Sequence, residues 1–281
     1  MSAIVVAWRG ATGEVAKIPA FIRRDWLVML SYRAAFVSDL VTIAIQAVLF
    51  SFIERLIDPA TMPAYDGTRA GYLEFALLGV IVSLVTGLML SRVATAVRQE
   101  QMIGTFESLL STPTRPTTVQ AGSVAFDLLF IPLRMGLLLV AVAFTFSLHF
   151  HAGGVLPALV VLAGYVPFVW GLGLMSAGAM VTFRRGAGLL GAGVGALGII
   201  SGAFFPLALL PDWLQAIAEA NPVAIAIETV RETLIGGGGW SAIPGEAALL
   251  VPASIAALAG GVLAFRAALA RERRKGTLGL Y

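Results

Sequence analysis

Residues 98–116 read RQEQMIGTFESLLSTPTRP, a polar island between two long apolar stretches. Met102, Ile103, Phe106, Leu109 and Leu110 fall at i, i+1, i+4, i+7 and i+8, which is one apolar stripe of a helix. Arg98, Glu100, Gln101, Thr105, Glu107 and Ser108 make up the polar remainder. Pro113 and Pro116 cannot continue a helix, and each pushes the residue before it out of the α region. The spacing predicts a short amphipathic helix over 98–112. Two uses fit such a helix: resting on a membrane surface, or docking a soluble partner. Periodicity does not choose between them.

What flanks this island sets the class. Of 281 residues, 58% are hydrophobic and 12% charged, with a mean hydropathy of +0.90. A soluble domain carries about 25% charged residues, so this chain lacks the polar surface to coat a water-facing globule. Its apolar runs approach or exceed the ~20 residues that cross a bilayer core. They do not alternate at period two, as membrane β-barrel strands do. The reading is an all-α polytopic membrane protein, one transmembrane domain over 1–281 with six transmembrane helices. The spans are predicted at Ala34–Ile53, Phe75–Leu90, Val119–Leu148, Val155–Phe183, Ala187–Leu209 and Ala247–Phe265. The first apolar run, Ala3–Trp8, is too short for a secretory leader, and its first basic residue follows it.

Basic residues orient the spans, because Lys and Arg stay preferentially in the cytoplasm. With the N-terminus inside, the inner segments hold Arg9, Lys17, Arg23, Arg24, Arg33, Arg92, Arg98, Arg115, Arg184, Arg185, Arg266, Arg271, Arg273, Arg274 and Lys275. The outer segments hold Arg55, Arg69 and Arg231. Fifteen against three places both termini in the cytoplasm. The sequence pI of about 9.6 reflects these anchors, which also suit anionic lipid heads. With no basic domain apart from the membrane ends, nucleic acid is not an expected partner. Before the first span, residues 14–31 put Phe21, Ile22, Trp26, Met29 and Leu30 on one face, with Arg23, Arg24 and Asp25 between them. That pattern suits an interfacial helix.

Several chemistries are excluded. There is no cysteine, hence no disulfide, thiolate nucleophile or cysteine metal site. A Walker A loop needs a Gly-Lys-Ser/Thr ending. The two lysines, Lys17 and Lys275, are followed by Ile18 and Gly276, so this chain does not grip a nucleotide phosphate through that motif. GAGLLG at 186–191 matches a dinucleotide fingerprint formally. It follows Arg184-Arg185 rather than a strand, and opens an uncharged run. Gly191 with Gly195, Gly79 with Ser83 and Gly87, and Gly164 with Gly171 and Gly178 instead read as packing seams. His149 and His151 have no third ligand nearby.

Polar residues inside spans are costly. Asp39, Gln46, Asp127 and Arg134 are the candidates for a pathway or an intramembrane polar role. For Asp39 and Asp127 the simpler role is interfacial solvation or pairing with Arg24, Arg33 or Arg115. Gln46 suits an interhelical hydrogen bond. Residues 206–235 divide into two helical pieces at Asn221-Pro222, with Trp213 of interfacial type. Arg231 lies between Glu228 and Glu232 and offsets their repulsion.

The segment from Glu100 to Pro113 has Gly104-Thr105, Glu107, Leu109-Leu110 and Thr112-Pro113 in fixed order. Residues 201–234 read SGAFFPLALLPDWLQAIAEANPVAIAIETVRETL, and the tail 273–281 reads RRKGTLGLY. In these three stretches the chain resembles the ABC-2-type transporter permeases. The resemblance implies that 98–112 is a coupling helix, in which Arg98, Glu100, Gly104, Thr105, Phe106 and Glu107 serve coupling to a cytoplasmic nucleotide-binding ATPase. It implies that 206–235 is an outer re-entrant helical hairpin before the last span, with Phe204, Phe205, Pro206, Glu228 and Arg231 at an outer gate. It further implies a second permease chain, ATP and Mg bound by the partner subunit, no cofactor or catalytic site here, and a bacterial or archaeal cytoplasmic membrane. The loop looks more like that of drug, lipid and lipo-oligosaccharide exporters than of polysaccharide ones. An ATP-independent scramblase or channel subunit is the rival from another class.

Overall fold

The computed structural model describes residues 16, 18–31, 33–103, 116–182, 193, 195–196, 198–243 and 245–275. Helix α1 (Ile18–Ser31) leads into α2 (Arg33–Glu54). A two-residue ladder, β1 (Ala64–Tyr65) and β2 (Thr68–Arg69), turns through Asp66 and Gly67 at φ 47° and 79°. Asp-Gly favours this tight hairpin because both residues tolerate positive φ. It is a small β element within a mostly helical chain. Next come α3 (Tyr72–Ile103), α4 (Pro116–Thr145) and α5 (Val155–Thr182). The short helices α6 (Asp212–Glu219) and α7 (Pro222–Arg231) precede the last helix, α8 (Leu250–Lys275).

Among the described residues four helices are long and apolar enough to cross a membrane: Tyr72–Thr95, Val124–Thr145, Ala152–Met180 and Ala247–Arg271. Val41–Glu54 of α2 is a shorter apolar helix. In the α3 span 67% of the most apolar window is buried, against 25%, 33% and 28% in the other three. That makes α3 the centre of the bundle. The outward faces of α2 and α4, with Val41, Ile45, Val48, Phe52, Leu137, Val140 and Phe144 exposed, present the apolar surface that lipid tails accept.

Contacts fix the directions. Thr86 meets Tyr165, and a Cβ on Gly173 would strike Val93, so α3 and α5 run parallel. Ser254 donates to the Gly164 carbonyl at 2.8 Å, Gly171 lies against Ala257 and Gly261, and Gly178 against Ala264 and Ala268. Hence α5 and α8 are parallel too. Arg92 bridges to Asp127, while Glu74 receives the His149 amide just past the end of α4. Those two helices are therefore antiparallel. Segments 55–71, 146–154 and 200–249 consequently gather at one end of the bundle. Arg92, Asp127 and the last turns of α3 lie at the other.

Three boundaries differ from the expectation. The second span does not stop at Leu90 before a separate helix. Nothing between Leu90 and Ile103 breaks a helix, so 98–103 continue α3. The third span's helix ends at Thr145, and Ser147 takes a positive φ of 55°. The fifth predicted span lies partly outside the described residues, but its far end is clear. The helical residues stop by Ile199, Gly202 turns left-handed at φ 69°, and Leu207–Leu209 form a single 3₁₀ turn after Pro206. Glycine permits that turn, and Pro206 cannot continue a helix from the residues before it. The N-terminal helix is present as α1. Its Trp26 packs edge-on against Phe126 and Phe130, and its Phe21 lies where a side chain on Gly122 would sit.

Candidate functional site

The hairpin follows from its capping chemistry. Pro211 precedes α6, and Asn221 caps α7 by accepting a hydrogen bond from the Val223 amide at 3.0 Å. Pro222 takes the first helical position, where it loses no hydrogen bond. Helix α6 lies on the surface, with Trp213 69% exposed. Helix α7 buries eight of its ten residues against α3 and α5. Past α7 the backbone widens into a π-turn over Glu232–Gly236, closed by left-handed Gly237 at φ 76°. The 146–154 loop docks there: the His151 amide donates to the Leu234 carbonyl at 2.8 Å, and Gly154 lies against the Thr233 carbonyl.

Arg231 holds this hairpin. Its side chain is fully buried, at 1% exposure. Nε and Nη2 donate to the Phe75 carbonyl at 3.2 and 3.0 Å. Nη2 also donates to the carbonyls of Gly202 and Ala203 at 3.0 and 3.1 Å. Nη1 reaches Glu228 at 3.2 Å, and the guanidinium lies 3.5 Å from the centre of the Phe75 ring. A buried charge without partners is strongly destabilising; here carbonyls, a carboxylate and a ring face supply them. Gly79 makes the room: a Cβ there would lie 2.3 Å from the Ala203 carbonyl oxygen and 2.4 Å from Arg231 Nη2. Tyr65 is buried alongside, and burial, aided by the negative charge of Glu228, pushes its phenol well above the usual tyrosine range. It stays protonated throughout the physiological range.

Of the five residues expected at the outer gate, Glu228 and Arg231 form the ion pair just described. Phe204, Phe205 and Pro206 continue directly from the carbonyls that Arg231 holds, and the Tyr72 hydroxyl donates to the Phe204 carbonyl at 3.3 Å. The Glu228 side chain, 42% exposed, connects the buried arginine to the surface.

Among the described residues the other candidates are not brought together. Arg98 and Glu100 ride on the last turns of α3, with side chains outside the described residues. Gly104, Thr105, Phe106 and Glu107 also lie outside them. Asp127 pairs with Arg92 at 2.8 Å, a partner other than the Arg24, Arg33 or Arg115 expected; Arg115 and the Arg33 side chain lie outside the described residues. Arg24 instead pairs with its neighbour Asp25 at 2.8 Å. Asp39 lies in α2, with its side chain outside the described residues. Gln46 Oε1 is buried and has no hydrogen-bond partner among the described residues. Arg134 is half-buried on α4. Among the described residues no cluster of three His, Asp or Glu could hold a metal.

Sequence reasoning missed Gly79, Phe75 and Tyr65 as parts of the hairpin anchor. Gly79 reads as one step of a glycine seam along α3, yet its neighbours are the 203 turn and the guanidinium. A buried arginine demands acceptors, but nothing local to residue 231 identifies a carbonyl 156 positions earlier.

These features define a multi-pass helical membrane protein of the permease class, with an arginine-anchored hairpin at one end. The chain belongs to the ABC-2 type transporter family, whose family model matches residues 17–235. No curated protein matches it.

Proposed function

We infer that this chain is the membrane-spanning permease subunit of an ATP-driven exporter. The observation that carries the reading is the length of α3. Its 32 residues span about 48 Å at 1.5 Å per residue, against about 30 Å of hydrocarbon. Its first turns are packed at the hairpin end, so the surplus emerges at the other. From Arg92, paired with Asp127, the helix runs on to Ile103 for about 16 Å. The headgroup layer is only about 5–7 Å deep. Arg98 and Glu100 are therefore carried past the headgroups, where a soluble subunit is the natural neighbour. This favours docking over a helix lying on the membrane.

ABC-2 permeases normally work with an ATP-binding subunit. ATP and Mg would be held there, since neither Lys17 nor Lys275 lies in a Walker A loop. Parallel α5 and α8 support six spans, because between two parallel helices the chain has to return to the end from which it set out. The Lys and Arg bias then puts both termini and the far end of α3 in the cytoplasm, and the hairpin outside. The setting is the cytoplasmic membrane of a bacterium or archaeon. Two permease chains and two ATPase chains form the working unit. An amphiphilic substrate, a drug, lipid or lipo-oligosaccharide, leaves beneath the hairpin past Phe204, Phe205 and Pro206.

The test is co-purification with the ATPase subunit followed by vesicle transport. Glu100→Ala and Gly104→Leu should express and insert normally but lose ATPase binding or uncouple hydrolysis from export. Full transport with a normally bound ATPase in both variants would sink the docking assignment. Flux through the chain alone without ATP would replace the exporter with a scramblase or channel.

A further inference from the structure

Arg231 gathers three parts of the chain that are far apart in sequence. Its guanidinium binds the Phe75 carbonyl in the first turn of α3, the Gly202 and Ala203 carbonyls in the turn after residue 200, and Glu228 in its own helix. Gly79, one turn further along α3, leaves no gap between these parts. Helix α6 takes no part in the cluster. It is joined to its surroundings through Pro206, Pro211 and the Asn221-Pro222 break.

The same α3 that receives this cluster at one end carries Arg98 and Glu100 at the other, with no break between Tyr72 and Ile103. A continuous helix of that length transmits a tilt or a shift along its axis with little loss. We propose that Arg231 is a positioning residue. It joins α7 and the 200–205 turn to α3, so that movement imposed on the 98–103 end of α3 is delivered to the hairpin. In this scheme α7 travels with α3, and α6 is the part of the hairpin left to swing. The proposal rests on the assignment of the 98–112 segment to ATPase docking.

The joint itself is testable in the chain alone, reconstituted in lipid nanodiscs and followed by amide hydrogen exchange. Arg231→Gln removes charge-assisted hydrogen bonds, so exchange should rise roughly tenfold to a hundredfold. The rise should appear together in residues 72–80, 200–205 and 222–231, while the α5–α8 contact at 164–171 and 254–261 stays unchanged. A substitute joint is available in this cysteine-free chain. A Cβ on Gly236 would lie 3.3 Å from the Tyr65 Cβ, just short of the usual disulfide range of about 3.5–4.5 Å. Oxidised Tyr65→Cys/Gly236→Cys, added to Arg231→Gln, should restore protection in the hairpin, and reductant should abolish it again.

With the ATPase subunit bound, Mg-ATP should alter exchange at 212–235 in the wild type. Arg231→Gln should retain ATPase binding and hydrolysis yet lose that response, and the oxidised cysteine pair should bring it back. A response that persists in Arg231→Gln overturns the joint. So does loosening confined to 222–231 in the chain alone. If no ATPase binds even the wild-type chain, the ATP-driven reading fails, and the three-segment exchange pattern alone still decides whether Arg231 joins these parts.

Discussion

Replacing Gly171 by alanine tests the packing of the bundle without reference to transport. A Cβ at Gly171 would sit 2.2 Å from the Ala257 carbonyl carbon and 2.3 Å from its oxygen. Carbon atoms settle at about 3.5–4.0 Å, so α5 and α8 would have to part by about 1.3 Å. Both close atoms are backbone and cannot rotate away. The same parting, applied along the pair, would stretch the Ser254–Gly164 hydrogen bond from 2.8 Å to about 4.1 Å, beyond any hydrogen bond. Overpacking typically costs about 1–3 kcal/mol, and a lost interhelical hydrogen bond adds about 0.6 kcal/mol. Alanine recovers up to about 1 kcal/mol of helix propensity. The net loss is about 1–3 kcal/mol. Gly164→Ala is the control on the same helix: nothing lies within 4 Å of its Cβ, so it should be neutral or slightly stabilising. Thermal unfolding in detergent, followed by circular dichroism, should place Gly171→Ala about 3–10 °C below the wild type and Gly164→Ala at or above it. If the two fall equally, or if Gly171→Ala melts with the wild type, the close approach of α5 and α8 is not as described.

The Thr86 hydroxyl donates to the Val82 carbonyl at 2.7 Å, so the Tyr165 hydroxyl, 3.0 Å away, must be the donor to Thr86. Tyr165→Phe should therefore cost only about 0.6 kcal/mol, whereas Thr86→Val strands the buried phenol and should cost about 1–3 kcal/mol; chemical unfolding that ranks them the other way would reverse the donor assignment. For topology, a cysteine placed at exposed Ser241 should react with an impermeant thiol reagent in intact cells, and one at Ser108 should not. Labelling at Ser108 alone would invert the orientation.

Hydropathy made the long helices legible, because crossing a bilayer requires a run of apolar residues whatever its neighbours are. The hairpin break was legible for a local reason as well: asparagine caps and proline starts a helix at 221 and 222. Boundaries inside polar or small-residue stretches were not. Arg98 and Glu100 look like the start of a new element, yet a helix needs no apolar surface to continue into water. Gly202 lies in a run apolar enough to extend the span, but its left-handed backbone ends it. Partner choice was least legible. Asp127 could be given a basic partner in principle, but the choice of Arg92 depends on the register of α3 against α4. The three glycines of α5 look equivalent at seven-residue spacing. In the fold Gly171 and Gly178 meet α8 closely, while Gly164 serves through its carbonyl.

The arginine anchor also bears on how the protein is made. Phe75 and Gly79 enter the membrane early in synthesis, and Arg231 follows more than 150 residues later. Until it arrives, the groove at Gly79 is unfilled, and the turn at 202–203 has nothing to hold it to α3. A guanidinium arriving in an apolar setting without its carbonyls is strongly disfavoured, so the hairpin can settle only once the earlier helix is in place. Assembly is therefore checked at its end. A chain truncated before residue 231, or one in which α3 is misplaced, leaves an open groove or an unpaired cation at the hairpin end of the bundle.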